Sequence, residues 1–454
     1  MYCFILIFAL ISQVNSDAIC DRCVCRYDNK NNEDFKGENV DCSYSVSVLD
    51  FNYTLPNTIN ALDLSLSNLS RIYSSSVLRS VTMRELFLNS NTITEISTDS
   101  LQLPELRRLD LSDNFLEFID KNVFVSIKKL EYLNLANNRF TTFSKLTFHP
   151  LSNLQEVVLD NNNIGPSLQQ VNLFNRSGFG LTQKIKSLSI RGIHLNNVPD
   201  NFFVDVYDIR KLIISENNLK DVFELPFTLR YLDLSDNPIE EIESEDFNNL
   251  PALQELKLNN LSITEVPEYV FSSLHSLLKL ELERNKNLTE FSKFTFGREV
   301  LDDSDDFILE SLSVKGSRLW KLDKDLFQPF AQLIHLDLQG NPWKCDCNLV
   351  WVKNLQIPEK DYDHLRCAIP NPLFNARIFD LQPKYFSCPP NKHHVGIGIA
   401  VIALCSILAC IAIWLFVCIP KWNTRGNLLR QMYTPSTAYS VLPMATTVTS
   451  IRDL

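Results

Sequence analysis

A chain of 454 residues with only 11 glycines and a formal charge of −11 has room for two or three ordinary domains, or for one elongated array whose core grows along its axis. Residues after Ile419 carry +3, so the rest carries −14; that acidic balance argues against nucleic acid or heparin-like polyanions as main partners, though a local basic patch fits inside it. No His-Glu-x-x-His, Gly-x-Ser-x-Gly or phosphate-loop pattern occurs and the seven histidines are scattered, so no catalytic residue, metal ligand or cofactor is expected.

From the amino terminus, the apolar run Phe4 to Ile11 and the small-residue pattern Val14-x-Ser16 read as a signal peptide over residues 1–16, too short to span a bilayer. Residues 17–58 follow as a cysteine-rich segment holding Cys20, Cys23, Cys25 and Cys42. An even cysteine count on a secretory route reads as disulfides, because an oxidising compartment opposes the four reduced thiolates that zinc would need. Sequence alone leaves three pairings among these four.

Residues 59–343 repeat. "LRRLDLSDNFLEFI" from Leu106, "LEYLNLANNRFTTF" from Leu130 and "LRYLDLSDNPIEEI" from Leu229 share Leu-x-x-Leu-x-Leu-x-x-Asn-x-Leu. Nine further units begin at Ile59, Met83, Leu154, Ile185, Ile209, Leu253, Leu277, Leu309 and Leu333, giving twelve, numbered below in chain order. In Leu-x-Leu the two-residue period of a strand sends both leucines to one face. One unit cannot bury them alone, whereas stacked units can, as a parallel sheet with the rest of each coil returning behind it. Phe124, Phe148, Phe203, Phe247, Phe271 and Phe327 recur in the return segments and should stack as a second apolar column.

These motifs resemble the leucine-rich repeat family, and the resemblance implies an α/β solenoid, a horseshoe with its parallel sheet on the concave face. It also implies that the motif Asn hydrogen-bonds backbone of the neighbouring coil. Eight units keep that residue: Asn91, Asn114, Asn138, Asn162, Asn217, Asn237, Asn285 and Asn341. Ser67, Ile193, Leu261 and Ser317 depart, and an interrupted ladder and irregular coil are expected at Ile193, just after a long insert. Strand residues beside the leucines face outward, where a ligand would meet Phe87, Asp110, Tyr132, Val158, Ile213, Tyr231, Asp233 and Lys257, with the aromatic and aliphatic ones exposed. Glu281 and Asp337 join them. Of two long inserts, after Asn162 and after Phe296, the second holds Asp302 to Asp306, a solvated acidic loop lacking the Gly turn and terminal Glu of a calcium loop.

Residues 344–390 carry "KCDCNLVW" and two further cysteines, Cys367 and Cys388, which together resemble the carboxy-terminal cap of extracellular leucine-rich repeat proteins. The resemblance implies Cys345 and Cys347 paired onward to Cys367 and Cys388, Cys20 with Cys25, and Cys23 with Cys42. After a juxtamembrane stretch, 391–394, residues 395–419 are uncharged and long enough for a membrane-spanning helix. Lys421, Arg425 and Arg430 place the tail, 420–454, in the cytoplasm, a type I plasma-membrane topology. In that tail Tyr439-Ser-Val-Leu442 matches an endocytic signal for a clathrin adaptor, and Cys418 is a palmitoylation candidate. Asn52, Asn68, Asn175, Asn260 and Asn287 head glycosylation sequons.

The expected function is recognition of an extracellular or cell-surface protein, as adhesion molecule or receptor, with homodimerisation a natural form of adhesion. Toll receptors, Slit and neuronal adhesion proteins belong to the group it resembles; unlike Toll receptors, the tail is too short for a folded signalling domain. Two rival expectations are a co-receptor or ligand-sequestering protein without its own signalling, and a matrix role for a shed ectodomain.

Overall fold

The computed structural model describes residues 19–28, 37–45, 55–73, 78–142, 146–168, 173–174, 180–199, 202–203, 206–304, 307–388 and 401–415. The expected signal peptide, Asn52, Asn175, Cys418, Tyr439 and Leu442 lie outside them. The chain divides into one unit over residues 1–387 and a second over 388–454.

Each repeat of the first unit contributes one short strand, from Ile59–Asp63 in unit 1 through Arg108–Asp110, Tyr132–Asn134, Lys211–Ile213 and Tyr231–Asp233 to His335–Asp337 in unit 12. The strands stack in chain order, all parallel, in one 14-stranded sheet among the described residues. The other two members precede the repeats: Gly37–Asp41 runs parallel to Ile59–Asp63, and Val24–Asp28 pairs antiparallel with Gly37–Asp41. Alternation does what the leucine spacing demands, so Leu109 is buried while its strand neighbours Arg108 and Asp110 stay half-exposed. The core is a single apolar cluster running from Ile19 to Phe386.

A ladder of buried side chains and a recurring turn hold consecutive coils together. The motif asparagines are buried, and each bridges to the coil before it. Asn114 accepts from the Ile93 N–H at 2.9 Å and donates to the carbonyls of Leu88, Leu111 and Ser112. The residue just before each motif position takes a left-handed backbone in all twelve units, among them Asp113, Asn137, Glu216, Arg284, Gly192 and Gly340. For a non-glycine residue that conformation costs roughly 1–2 kcal/mol, and recurs here because the turn out of each strand requires it.

At Ile193 the strand does not become irregular: Ser187–Ser189 keeps register with Glu156–Val158 before it and Lys211–Ile213 after it. The expected break is confined to the far side of the turn. There Ile193 is fully buried, and its own carbonyl accepts from the Gly165 N–H at 2.8 Å, backbone doing what a side-chain amide does elsewhere. Ser317 keeps the ladder by hydroxyl, accepting from the Asn285 N–H and donating to the Leu282 carbonyl.

The aromatic column needs one correction. Phe124, Phe148, Phe203, Phe247 and Phe271 are buried, but Phe327 is only partly so. Residues Lys324–Leu326 and Phe327–Ala331 wind into consecutive helical turns, which bury Leu326 and Phe330 and leave Phe327 edge-on to Trp351 at 6.3 Å.

Both ends of the repeat array carry disulfides: Cys20–Cys25 and Cys23–Cys42 before it, Cys345–Cys367 after it. Cys347 and Cys388 are disulfide-bonded as well. At the end of the last repeat, Trp343 is buried and donates from Nε1 to the Leu338 carbonyl at 3.0 Å. The Lys353 ammonium donates to the carbonyls of Ile378, Phe379 and Leu381, which ties the segment to its own returning chain.

In the second unit residues 401–415 are helical and exposed. Among the described residues no helix is long and apolar enough to cross a membrane; 395–400 and 416–419 of the expected span lie outside them.

Candidate functional site

The sheet has one face turned to the core and one left open, and the open face is written by three columns of side chains. In every unit these are the residue before the buried mid-strand residue, the residue after it, and the next but one. All eight residues expected to meet a ligand lie on the strands of this face. They do not form one cluster.

Phe87, Tyr132, Val158, Ile213 and Tyr231 are half-buried rather than exposed. The cause is lateral: parallel strands about 4.8 Å apart let each side chain lie across its neighbour. Register sets Arg108 beside Tyr132, and its guanidinium lies 3.7 Å from that ring and 6.0 Å from Phe87. Asp110 accepts from Ser112 and from the Asn134 side-chain amide, so it is oriented before any partner arrives.

Four strands on, Tyr231 is flanked by the ammonium groups of Lys211 at 5.1 Å and Lys257 at 5.9 Å. Lys257 also reaches Glu255 and Glu281, while Lys279 lies 3.1 Å from Glu255 and 2.6 Å from Glu281. Asp233 stands next to this network and accepts from the Ser235 N–H. Between the two aromatic clusters, Val158 and Ile213 frame Ser189, their strand partner on either side. The open face is thus two cation-clasped aromatic centres about 19 Å apart, and the units between them present Val158, Ser189 and Ile213 together with Glu156, Asp160 and Arg191.

Burial pushes the Tyr132 and Tyr231 phenols above their ordinary range, so both remain neutral hydrogen-bond groups at physiological pH. Burial alone would raise the Glu281 carboxyl too. Hydrogen bonds from Lys279 and Asn259 outweigh it and hold the group below its ordinary value. Such a carboxylate adds stability above its unfolded pKa, and that stability is lost as pH falls through the folded value, since the unfolded chain then binds the extra proton. The thermal midpoint of the native chain should therefore fall more steeply between pH 5 and pH 3 than that of Glu281→Gln; identical slopes in differential scanning calorimetry would refute the assignment.

Arg108, Lys211, Lys279 and Asn259 were not singled out by reading the sequence for apolar strand positions. Writing the units beneath one another, column by column, exposes them.

Comparison with known proteins gives the following. The family model described as leucine rich repeat matches residues 104–164 and 227–293. Tsukushi of Gallus gallus is 30% identical over 260 residues, covering 56% of this chain and 67% of that protein. Chaoptin of Tribolium castaneum is 26% identical over 295 residues, 61% of this chain but 36% of its own length. Of solved structures, a chain from the octameric complex of Latrophilin 3, Unc5D and FLRT2 superposes with a TM-score of 0.51 at 18% identity, covering 80% of this chain and 99% of that one, a likeness of fold.

Proposed function

The chain belongs to the leucine-rich repeat family, and from that premise we propose that it is a cell-surface protein that binds an extracellular protein partner through the open face of its sheet. The observation that carries this reading is the pair of aromatic centres, Tyr132 under Arg108 and Tyr231 between Lys211 and Lys257. Rings fixed in this way lose little freedom on binding and bury much area, which is what interface hot spots require.

The reading takes the two disulfide-bonded ends as caps over the terminal coils, the apolar residues 395–419 as a single membrane span, and the three described sequons Asn68, Asn260 and Asn287 as glycan sites. The tail motif Tyr439–Leu442 would recruit a clathrin adaptor and Cys418 would carry a palmitoyl group.

Cells displaying the full chain should capture a ligand from a panel of extracellular and cell-surface proteins. Tyr132→Ala and Tyr231→Ala should each weaken that ligand about 30-fold, near 2 kcal/mol. Phe118→Ala, exposed but off the strands, should leave it unchanged. If both tyrosine variants bind as well as the native chain, this face is not the site. Aggregation of the displaying cells would identify adhesion; dispersed cells that capture a soluble factor would identify a receptor or co-receptor.

A further inference from the structure

A second surface lies at the N-terminal edge of the strands, away from the two aromatic centres. Lys186, Arg210 and Arg230 each immediately precede the strand of units 6, 7 and 8. They are stacked directly, because the Arg210 N–H donates to the Lys186 carbonyl and the Arg230 N–H to the Arg210 carbonyl, both at 2.8 Å. Lys184, exposed, lies two residues ahead of Lys186. In sequence Lys186, Arg210 and Arg230 are 20 to 24 residues apart; in the fold they form a row with one charge per strand step of about 4.8 Å, Lys184 adding a second charge at its first step.

Three things set this row apart from ordinary surface lysines and arginines. Among the described residues none of the four makes an ion pair, Lys184 and Lys186 donating to the side-chain amide oxygens of Asn153 and Gln155, whereas Arg107, at the same position three units earlier, is paired with Glu131 at 2.8 Å. Next, Tyr207 and Phe227, each three residues before the Arg of its unit, are 60% and 56% exposed, so two rings with open surface precede Arg210 and Arg230 in the chain. Finally, the described sequons Asn68, Asn260 and Asn287 all follow the strands of their units, at the opposite edge, so glycans there would leave this row open. The carboxylates near the row are Asp208, two residues before Arg210, and Glu224, Glu245 and Asp246 in the groove that Tyr207 and Phe227 also line, which bar an anion from that groove and confine it to the basic side.

We infer that this edge binds a sulfated polysaccharide, with Lys184, Lys186, Arg210 and Arg230 holding successive sulfates and the Tyr207 and Phe227 rings packing on sugar faces. Unpaired guanidinium groups bind tetrahedral oxyanions in a bidentate manner, and binding to a polyanion gains from counterion release. The rings favour a glycan over a plain acidic peptide, since carboxylates alone give them nothing to stack on. An acidic whole molecule is compatible with such a chain where a local row of cations stands against the overall charge.

The test uses the full-length chain in detergent micelles and heparin as probe. Binding at about 150 mM salt is expected, weakening steeply as salt rises. R210E/R230E should weaken it at least tenfold, and Tyr207→Ser with Phe227→Ser about tenfold with no change of charge. Lys121→Glu with Lys220→Glu, the same charge change elsewhere, should leave it within twofold. R210A/R230A serves if the charge-reversed variant fails to fold by circular dichroism. Three results would each overturn the inference: no heparin binding, an equal loss in the Lys121/Lys220 control, or competition by desulfated heparin as strong as by heparin itself. Polyglutamate competing as well as heparin would assign the row to an acidic protein instead and overturn it too.

Discussion

Asn114→Ala is expected to destabilise the fold by about 3 kcal/mol, although it removes no apolar contact and sits at a turn. The side chain is buried, accepts one backbone N–H and donates to three carbonyls on two successive coils. Truncation leaves these groups without water to replace it, and each orphaned buried polar group costs about 1–3 kcal/mol. Asn114→Asp should be at least as damaging, because a carboxylate keeps the acceptor and sets negative charge against the carbonyls of Leu88, Leu111 and Ser112. The shift of the urea midpoint measures the total, and hydrogen exchange at the Ile93 amide localises it. Asn122→Ala, in an exposed turn, should stay within about 0.5 kcal/mol. A midpoint for Asn114→Ala within that same range would mean that the ladder is geometry without energy.

Gly165→Ala should cost as much, about 3 kcal/mol, for a steric reason. A Cβ at this position would meet the Ile193 carbonyl oxygen, the His194 carbonyl carbon and the Leu195 nitrogen, each at 2.6 Å. All three are backbone, so no side chain can swing aside. Gly316 makes a useful contrast: it holds the left-handed turn at φ +66°, yet a Cβ there comes no nearer than 3.7 Å to the Arg284 side chain. Gly316→Ala should therefore cost only about 1 kcal/mol, the conformational penalty alone. Thermal unfolding ranks the two. If Gly316→Ala proves the more damaging, the close approach of residue 165 to coil 6 is not what holds that junction.

Reading leucines at fixed spacing was enough to place the sheet strand of every repeat, because the strand period and the need to bury both leucines leave one solution, whereas Val24–Asp28 and Gly37–Asp41 carry no such spacing. The eight buried asparagines were likewise visible as letters. What the letters hide is lateral. Tyr132 and Tyr231 look like bare rings in their own units, and only the register that lays Arg108 and Lys257 across them reveals that they are half-covered. Phe327 continues a recurring phenylalanine on paper, but the helical turn around it hands its place to Leu326 and Phe330. Gly165 is hidden for the same reason, since its crowding comes from residues some thirty positions away.

The left-handed residue that closes every strand fixes how the next coil departs, whatever length the coil then has. Successive units here differ from 20 to 32 residues, and the strands nonetheless remain in register from Glu38 to Asp337 apart from one shift beside Glu38. Outer loops can thus lengthen, shorten or change composition while the spacing of the recognition columns holds still. A lineage could retune what decorates the rear of such a molecule and keep the same address on its front.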